Sequence, residues 1–232
     1  MALETERLVR RELRSPRSAA IAGILFSILM TVSMVLANSI TSISLVDLTD
    51  DWLAASSSAA SVVVGLVPFT GIAFLWFTGV IRDRVGARED RFFATVFLGS
   101  GIILVVMWFV WAATFGALFA TYTVTAELIV DTGIYVFGFT FMNQIIGNYA
   151  LRMAGVFMLS IGTLWTKAEV MPRWLTIMTY VVALGFLFFA GSIREARFIF
   201  PAWVFLVSVY ILVLNYRRDQ AQDGKDGLTP AV

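Results

Sequence analysis

Three polar residues repeat at intervals of four within a stretch that is otherwise apolar. Gln144, Asn148 and Arg152 lie between residues 132 and 166, where Arg152 is the single charged residue. In an α-helix this spacing places all three side chains on one face. An arginine inside a membrane span costs about 2.5–3.5 kcal/mol on insertion scales, so it faces a bundle interior or a watery cavity. The spacing predicts either a site for an anion or polar headgroup, or hydrogen bonds that hold helices together.

Two carboxylates upstream of this stretch are candidates to balance the arginine. Glu127 and Asp131 are also four residues apart, in a segment that we place on the outer side of the membrane. If this segment folds back, either carboxylate can pair with Arg152. The functional interpretation is an anion site that the carboxylates gate or balance. The structural alternative is an ion pair that only stabilises the bundle.

A second polar cluster follows the second apolar run of the chain. It reads GVIRDRVGAR, and its candidate residues are Gly79, Asp83, Arg84, Gly86 and Arg88. The aspartate can bind helix N-terminal amides or pair with an arginine, and the first glycine permits close helix approach. The motif resembles the cytoplasmic loop between helices two and three of major facilitator transporters. That resemblance implies a gating loop and a dimer or partner half; the alternative is a short cytoplasmic turn.

The composition restricts where the chain resides and which chemistry it can perform. Of 232 residues, 59% are hydrophobic and only 14% are charged, and mean hydropathy is +0.84. Because soluble domains carry roughly 25% charged residues, a soluble enzyme and a nucleic-acid binder are excluded. The chain has no Cys and no His, which removes thiolate chemistry, His-ligated haem and ordinary zinc sites. We therefore expect no catalytic, metal-binding or cofactor-binding residues and no enzymatic activity.

The apolar runs predict an all-α bundle of six transmembrane helices. Each run is long enough to cross a hydrocarbon core about 30 Å thick. The predicted spans are 19–37, 61–81, 92–121, a fourth within 132–166, 174–193 and 198–216. With both termini cytoplasmic, all basic residues except Arg152, Arg194 and Arg197 fall on the inner side, as the positive-inside rule favours. A seven-span arrangement satisfies this rule less well.

The predicted spans divide the chain into three parts. Residues 1–18 form a basic cytoplasmic head, residues 19–216 the six-span membrane domain, and residues 217–232 a disordered cytoplasmic tail. As one continuous helix, 132–166 would measure about 52 Å, too long for one upright span. We therefore place the outer end of span four near residues 137–143 and an outer segment over 124–136.

Two longer segments carry a wider resemblance. They read PFTGIAFLWFTGVIRDRVGAREDRFFATVFLGSG, from Pro68 to Gly101, and LRMAGVFMLSIGTLWTKAEVMPRWL, from Leu151 to Leu175. Both are similar to segments of small, uncharacterised multi-pass membrane proteins of actinobacteria. The resemblance implies a bacterial plasma membrane, and it supplies neither an activity nor catalytic residues.

Two functions of different class fit these observations. The first is a non-catalytic membrane subunit or interaction protein, which packs against a larger assembly or against its own copies in the bilayer. The second is a small transporter or channel for a solute, an anion or a lipid, which uses the polar face of span four. An intramembrane hydrolase ranks third, because carboxylates alone would have to perform the chemistry.

Overall fold

The described part of the chain is almost entirely helical. The computed structural model describes residues 16–41, 50–85, 91–124, 133–168 and 171–226, and it has no strand within these ranges. The helices are α1 (Pro16–Thr41), α2 (Asp50–Val85), α3 (Arg91–Val124), α4 (Ile134–Gln144), a π-helical turn (Ile145–Ala150), α5 (Leu151–Ala168), α6 (Arg173–Phe189), a 3₁₀ turn (Arg194–Phe198) and α7 (Ile199–Asp226).

The predicted membrane bundle is confirmed in class and, closely, in the number of spans. Five helical segments are long and apolar enough to cross a membrane, and α6 is a shorter apolar helix of 17 residues. The long segments are Ser18–Thr41, Ser56–Arg82, Phe92–Thr121, Ile134–Ala168 and Glu195–Arg217. The chain is therefore an all-helical, multi-pass membrane protein.

The fourth predicted span is longer than we expected. Helices α4 and α5 and the π-turn between them form one uninterrupted helical segment, Ile134–Ala168, of 35 residues. Helix α4 begins three residues before the predicted outer end near residues 137–143, so residues 134–136 of the predicted outer segment (124–136) are helical. The π-turn keeps the segment continuous, because it widens the helix locally without ending it.

Two further boundaries differ from the predictions. The fifth span ends at Phe189, four residues early, because the chain turns at Gly191, whose φ of 84° is left-handed. The last helix continues to Asp226, so residues 217–226 are helical rather than disordered. Arginine, glutamine and alanine are good helix formers, and they extend α7 past its apolar part.

Aromatic rings fill the centre of the bundle. The rings come from α1, α2, α3, α5 and α7, and their centroids lie close together: 4.6 Å for Phe97 and Phe157, and 5.1 Å for Phe26 and Trp108. Phe157 is fully buried and also contacts the rings of Phe200 and Trp203. Such rings gain dispersion energy and favourable edge and offset contacts. This aromatic core fixes the position of the helices around it.

Helices α5 and α6 approach each other through small residues. A Cβ added at Gly155 would lie 2.9 Å from the carbonyl oxygen of Ala183, and Gly162 lies against the Tyr180 ring. The absence of a side chain at these glycines lets the backbones meet, which is how helices associate closely in membranes. Gly155 is therefore required for the contact that holds α6 in place.

Candidate functional site

The three polar residues of the fourth span form a hydrogen-bonded ladder. Nη1 of Arg152 donates to the carbonyl oxygen of Asn148 at 3.0 Å and to its Oδ1 at 3.2 Å. Nδ2 of Asn148 donates in turn to Oε1 of Gln144. The prediction that these residues share one face is confirmed, and we refer to them as the polar ladder.

The π-turn lies within this ladder. Gln144 immediately precedes the turn, Asn148 is inside it, and Arg152 follows in the first turn of α5. In a π-turn the backbone bonds run from residue i to i+5, so the helix is locally wider, and such turns are frequent at functional sites. The ladder side chains bridge the widened turn along its surface.

A cleft of about 420 Å³ opens beside the ladder. It lies between the π-turn region and the chain that leaves α6, and we call it the ladder groove. Its polar lining residues are Asn143, Gln144, Asn148, Ser192 and Arg197. Its apolar lining residues include Phe139, Ile146 and Ile193. Arg152 is not among the lining residues, but it donates hydrogen bonds to Asn148, which is one of them.

A glycine in the turn after α6 makes room for the ladder. A Cβ at Gly191 would overlap Oδ1 of Asn148, so only glycine fits beside this amide. The left-handed φ of Gly191 also favours glycine. The turn thus brings Ser192 and Arg197 to the groove while it holds Asn148 in place.

The carboxylates proposed as partners of Arg152 lie outside the described residues. This applies to both Glu127 and Asp131. Among the residues that the structure describes, the hydrogen bonds of Arg152 go to Asn148. The guanidinium of Arg152 therefore finds its hydrogen-bond acceptors on Asn148, in the same helical segment.

The structure describes only part of the second polar cluster, residues 79–88. Gly79 lies in α2, and a Cβ there would meet nothing within 4 Å among the described residues, so none of these approaches closely at the predicted contact. Asp83 and Arg84 fall in the last turn of α2, and Gly86 and Arg88 lie outside the described residues. A glycine in the sequence does not by itself predict a helix contact. The contact forms only where another helix packs against the face of α2 that carries the glycine.

Sequence reasoning missed three residues of the groove. Gly191, Ser192 and Arg197 come 39 to 45 residues after Arg152, in a turn that we assigned partly to span five. The available signal was the sequence GSIREAR (Gly191 to Arg197), a polar interruption between two apolar runs. A glycine next to a serine at such an interruption indicates a turn, but not the helix that it contacts.

A second cleft, of about 600 Å³, lies at the opposite end of α6. It is lined by Trp165, Thr166, Met171, Arg173, Thr176, Ile177 and Tyr180. The Tyr180 hydroxyl donates to Oγ1 of Thr163 at 3.2 Å, and Oγ1 of Thr176 donates to the Pro172 carbonyl at 3.4 Å. These polar groups already bond one another or the backbone, so this cleft makes a weaker candidate site.

Comparison of the chain with protein-family models, with curated proteins and with solved structures gives no match. The ladder groove and the aromatic core are therefore the features of the molecule that bear on its function. The resemblance to actinobacterial membrane proteins stays a prediction.

Proposed function

We propose that this chain is a non-catalytic membrane protein that works as a subunit or interaction partner in a larger assembly of the bacterial inner membrane. The observation that supports this function is the aromatic core. Rings from five helices fill the centre of the bundle, including Phe26, Phe74 and Phe157, which are fully buried. A channel needs a polar or water-lined axis, whereas a core of packed rings is typical of a scaffold.

The distribution of charge supports the proposed orientation. The described basic residues Arg82, Lys167, Arg173 and Arg217 lie near the end of α2, the end of α5, the start of α6 and in the last part of α7, and alternating membrane crossings bring these to one end of the bundle. The groove residues Gly191 to Arg197 follow the other end of α6. By the positive-inside rule the first end is cytoplasmic. The ladder groove then faces the outer side of the membrane, where a partner or a lipid of the outer leaflet can reach it.

Purification in a mild detergent tests the subunit function. We expect mass spectrometry of the native preparation to recover a partner, or a second copy of the chain, in a fixed ratio. A tagged membrane protein of similar size, purified in parallel from the same host, is the control for non-specific association. A monomer without any partner, obtained at several detergent concentrations, would contradict the proposal.

The ladder groove favours a second function, the transport of a small solute, an anion or a lipid. If one chain is half of the transporter, a homodimer would carry out this transport. A charged residue held by amides in a membrane span is typical of a substrate pathway. For this function, Arg152→Ala should abolish flux into reconstituted vesicles while the protein stays folded in detergent. Arg217→Ala, at an exposed position of α7 outside both clefts, is the matched control and should retain flux. Loss of folded Arg152→Ala protein would support a structural role instead.

A further inference from the structure

We propose that the ladder groove binds the phosphate of a phospholipid headgroup, through the side-chain amide of Gln144. This inference goes beyond the proposed function, because a lipid can occupy the groove of a subunit or of a transporter. It follows from the direction of the hydrogen bonds in the polar ladder.

The arginine fixes the direction of the ladder, because a guanidinium only donates hydrogen bonds. Since Nη1 of Arg152 donates to Oδ1 of Asn148 at 3.2 Å, the oxygen of that amide must face the arginine. The amide nitrogen of Asn148 then faces Gln144, where it donates to Oε1. Both amide orientations are thus set by one donor at the end of the ladder.

The result is a pair of donors at the groove. Because Oε1 of Gln144 is turned toward Asn148, Nε2 carries its two N–H groups away from the ladder. Gln144 is exposed and lines the groove, and within the described residues its Nε2 makes no hydrogen bond. Neighbouring Asn143 differs, since its Nδ2 donates to the Phe139 carbonyl at 3.0 Å. Gln144 therefore offers hydrogen bonds to an acceptor from outside the protein.

The other polar groups of the groove suit an oxygen-rich acceptor. The Ser192 hydroxyl can donate, and Arg197 contributes a guanidinium to the same wall. Phosphate oxygens accept several hydrogen bonds at once and prefer arginine and amide donors. The donor set therefore fits a phosphate group better than a cation.

The walls of the groove indicate a lipid rather than free phosphate. Phe139 and Ile193 line it, and Phe188 and Phe189, just before the turn, are 75% and 66% exposed. Helix α6 has 17 residues and spans about 25 Å, so its end lies near the boundary between hydrocarbon and headgroups. A ligand with a phosphate in the groove and acyl chains against these side chains matches both surfaces.

Titration with a short-chain phosphatidylglycerol tests the proposal. The protein is held in uncharged detergent, and binding is followed by native mass spectrometry. We expect saturable binding to the unchanged chain and a loss of affinity of roughly tenfold or more for Gln144→Glu, which replaces both donors with a carboxylate. Gln144→Met, which removes the donors without adding charge, should lose affinity as well.

Matched variants separate the groove from general effects. Arg217→Gln changes the net charge by the same amount as Gln144→Glu, at an exposed position of α7 outside both clefts, and should bind like the unchanged chain. Arg152→Met should weaken binding, since the ladder loses its fixed direction, and Arg152→Lys should restore it, because lysine also only donates. The melting temperatures of all variants are measured alongside. If they are equal and Arg152 has only a structural role, Arg152→Lys should bind lipid no better than Arg152→Met.

Three outcomes would overturn the proposal. One is equal affinity for Gln144→Glu and the unchanged chain, which would place any lipid elsewhere. Another is the absence of saturable lipid binding. The third is full displacement of the lipid by inorganic phosphate at millimolar concentration, because the site would then recognise free phosphate. None of these outcomes bears on whether a protein partner co-purifies.

Discussion

The fourth span meets α6 and the turn after it in two places, and each place uses a glycine in a different way. At Gly155 the absence of a side chain lets the two helices pack closely, so that α5 contacts the backbone of Ala183. At Gly191 the missing side chain admits the amide of Asn148 beside a cleft of about 420 Å³. The first contact is dry helix packing, and the second keeps a polar groove open. The closed contact should therefore govern stability, and the open one should govern binding.

The largest expected effect comes from filling the closed contact. Gly155→Val places a branched side chain against the Ala183 carbonyl, 2.9 Å from the position of Cβ, where backbone must move. We expect a loss of about 3 kcal/mol in the free energy of unfolding, the upper end for overpacked sites. Unfolding in mixed dodecyl maltoside and dodecyl sulfate micelles, followed by circular dichroism, measures it.

Gly185→Val is the control for this change. It lies on α6, where an added Cβ meets nothing within 4 Å among the described residues, so the same substitution makes no clash there. Because valine is a slightly better helix former than glycine, we expect little or no loss of stability. Equal losses for Gly155→Val and Gly185→Val would show that α5 and α6 do not pack as closely as described.

A smaller effect is expected at the open contact. Gly191→Ala forces alanine into a left-handed conformation and displaces the Asn148 amide, which we expect to cost about 2 kcal/mol of unfolding free energy. Gly133→Ala is a matched control, because its φ of 71° is also left-handed and its Cβ would meet nothing within 4 Å among the residues that the structure describes. It should cost about 1 kcal/mol, the price of the conformation alone.

The difference between these two alanine variants measures the contact with Asn148. It is obtained from the same unfolding titration, run on both variants and on the unchanged chain. If Gly191→Ala and Gly133→Ala lose the same stability, Gly191 is needed only for its backbone conformation, and the groove tolerates a side chain there.

Sequence patterns revealed the parts of this fold that depend on local periodicity. The apolar runs gave the helices, and the four-residue spacing of Gln144, Asn148 and Arg152 placed the ladder on one face. The π-turn was not predictable, because a residue sequence such as IIGNYA (Ile145 to Ala150) is compatible with an ordinary α-helix. The π-turn packs against α3 and the 3₁₀ turn after α6, and these contacts lie far from it in sequence.

The remainder of the groove depends on contacts between distant segments. Ser192 and Arg197 reach the ladder because α6 ends at Phe189 and the chain reverses at Gly191. That early end follows from a left-handed glycine, and the sequence indicates a turn there without indicating its neighbour. The prediction for Gly79 failed among the described residues for the same reason. A glycine allows close helix approach only where another helix packs against it, and the local sequence does not show where that happens.

The smallest expected effect tests whether the closed region also depends on a polar bond. Nε1 of Trp203 donates to Oγ1 of Thr179 at 2.9 Å, between α7 and α6, and both residues are buried. Trp203→Phe keeps a ring against Phe157 but removes this donor, so we expect a loss of about 1 kcal/mol in the free energy of unfolding. Trp174→Phe, at an exposed tryptophan that begins α6, serves as the control and should lose less. A loss of about 3 kcal/mol for Trp203→Phe would instead mean that ring volume dominates, as in the truncation of a packed core. The contact between α6 and α7 would then depend on ring packing, whereas the open contact at Gly191 involves the amide of Asn148 in the polar ladder.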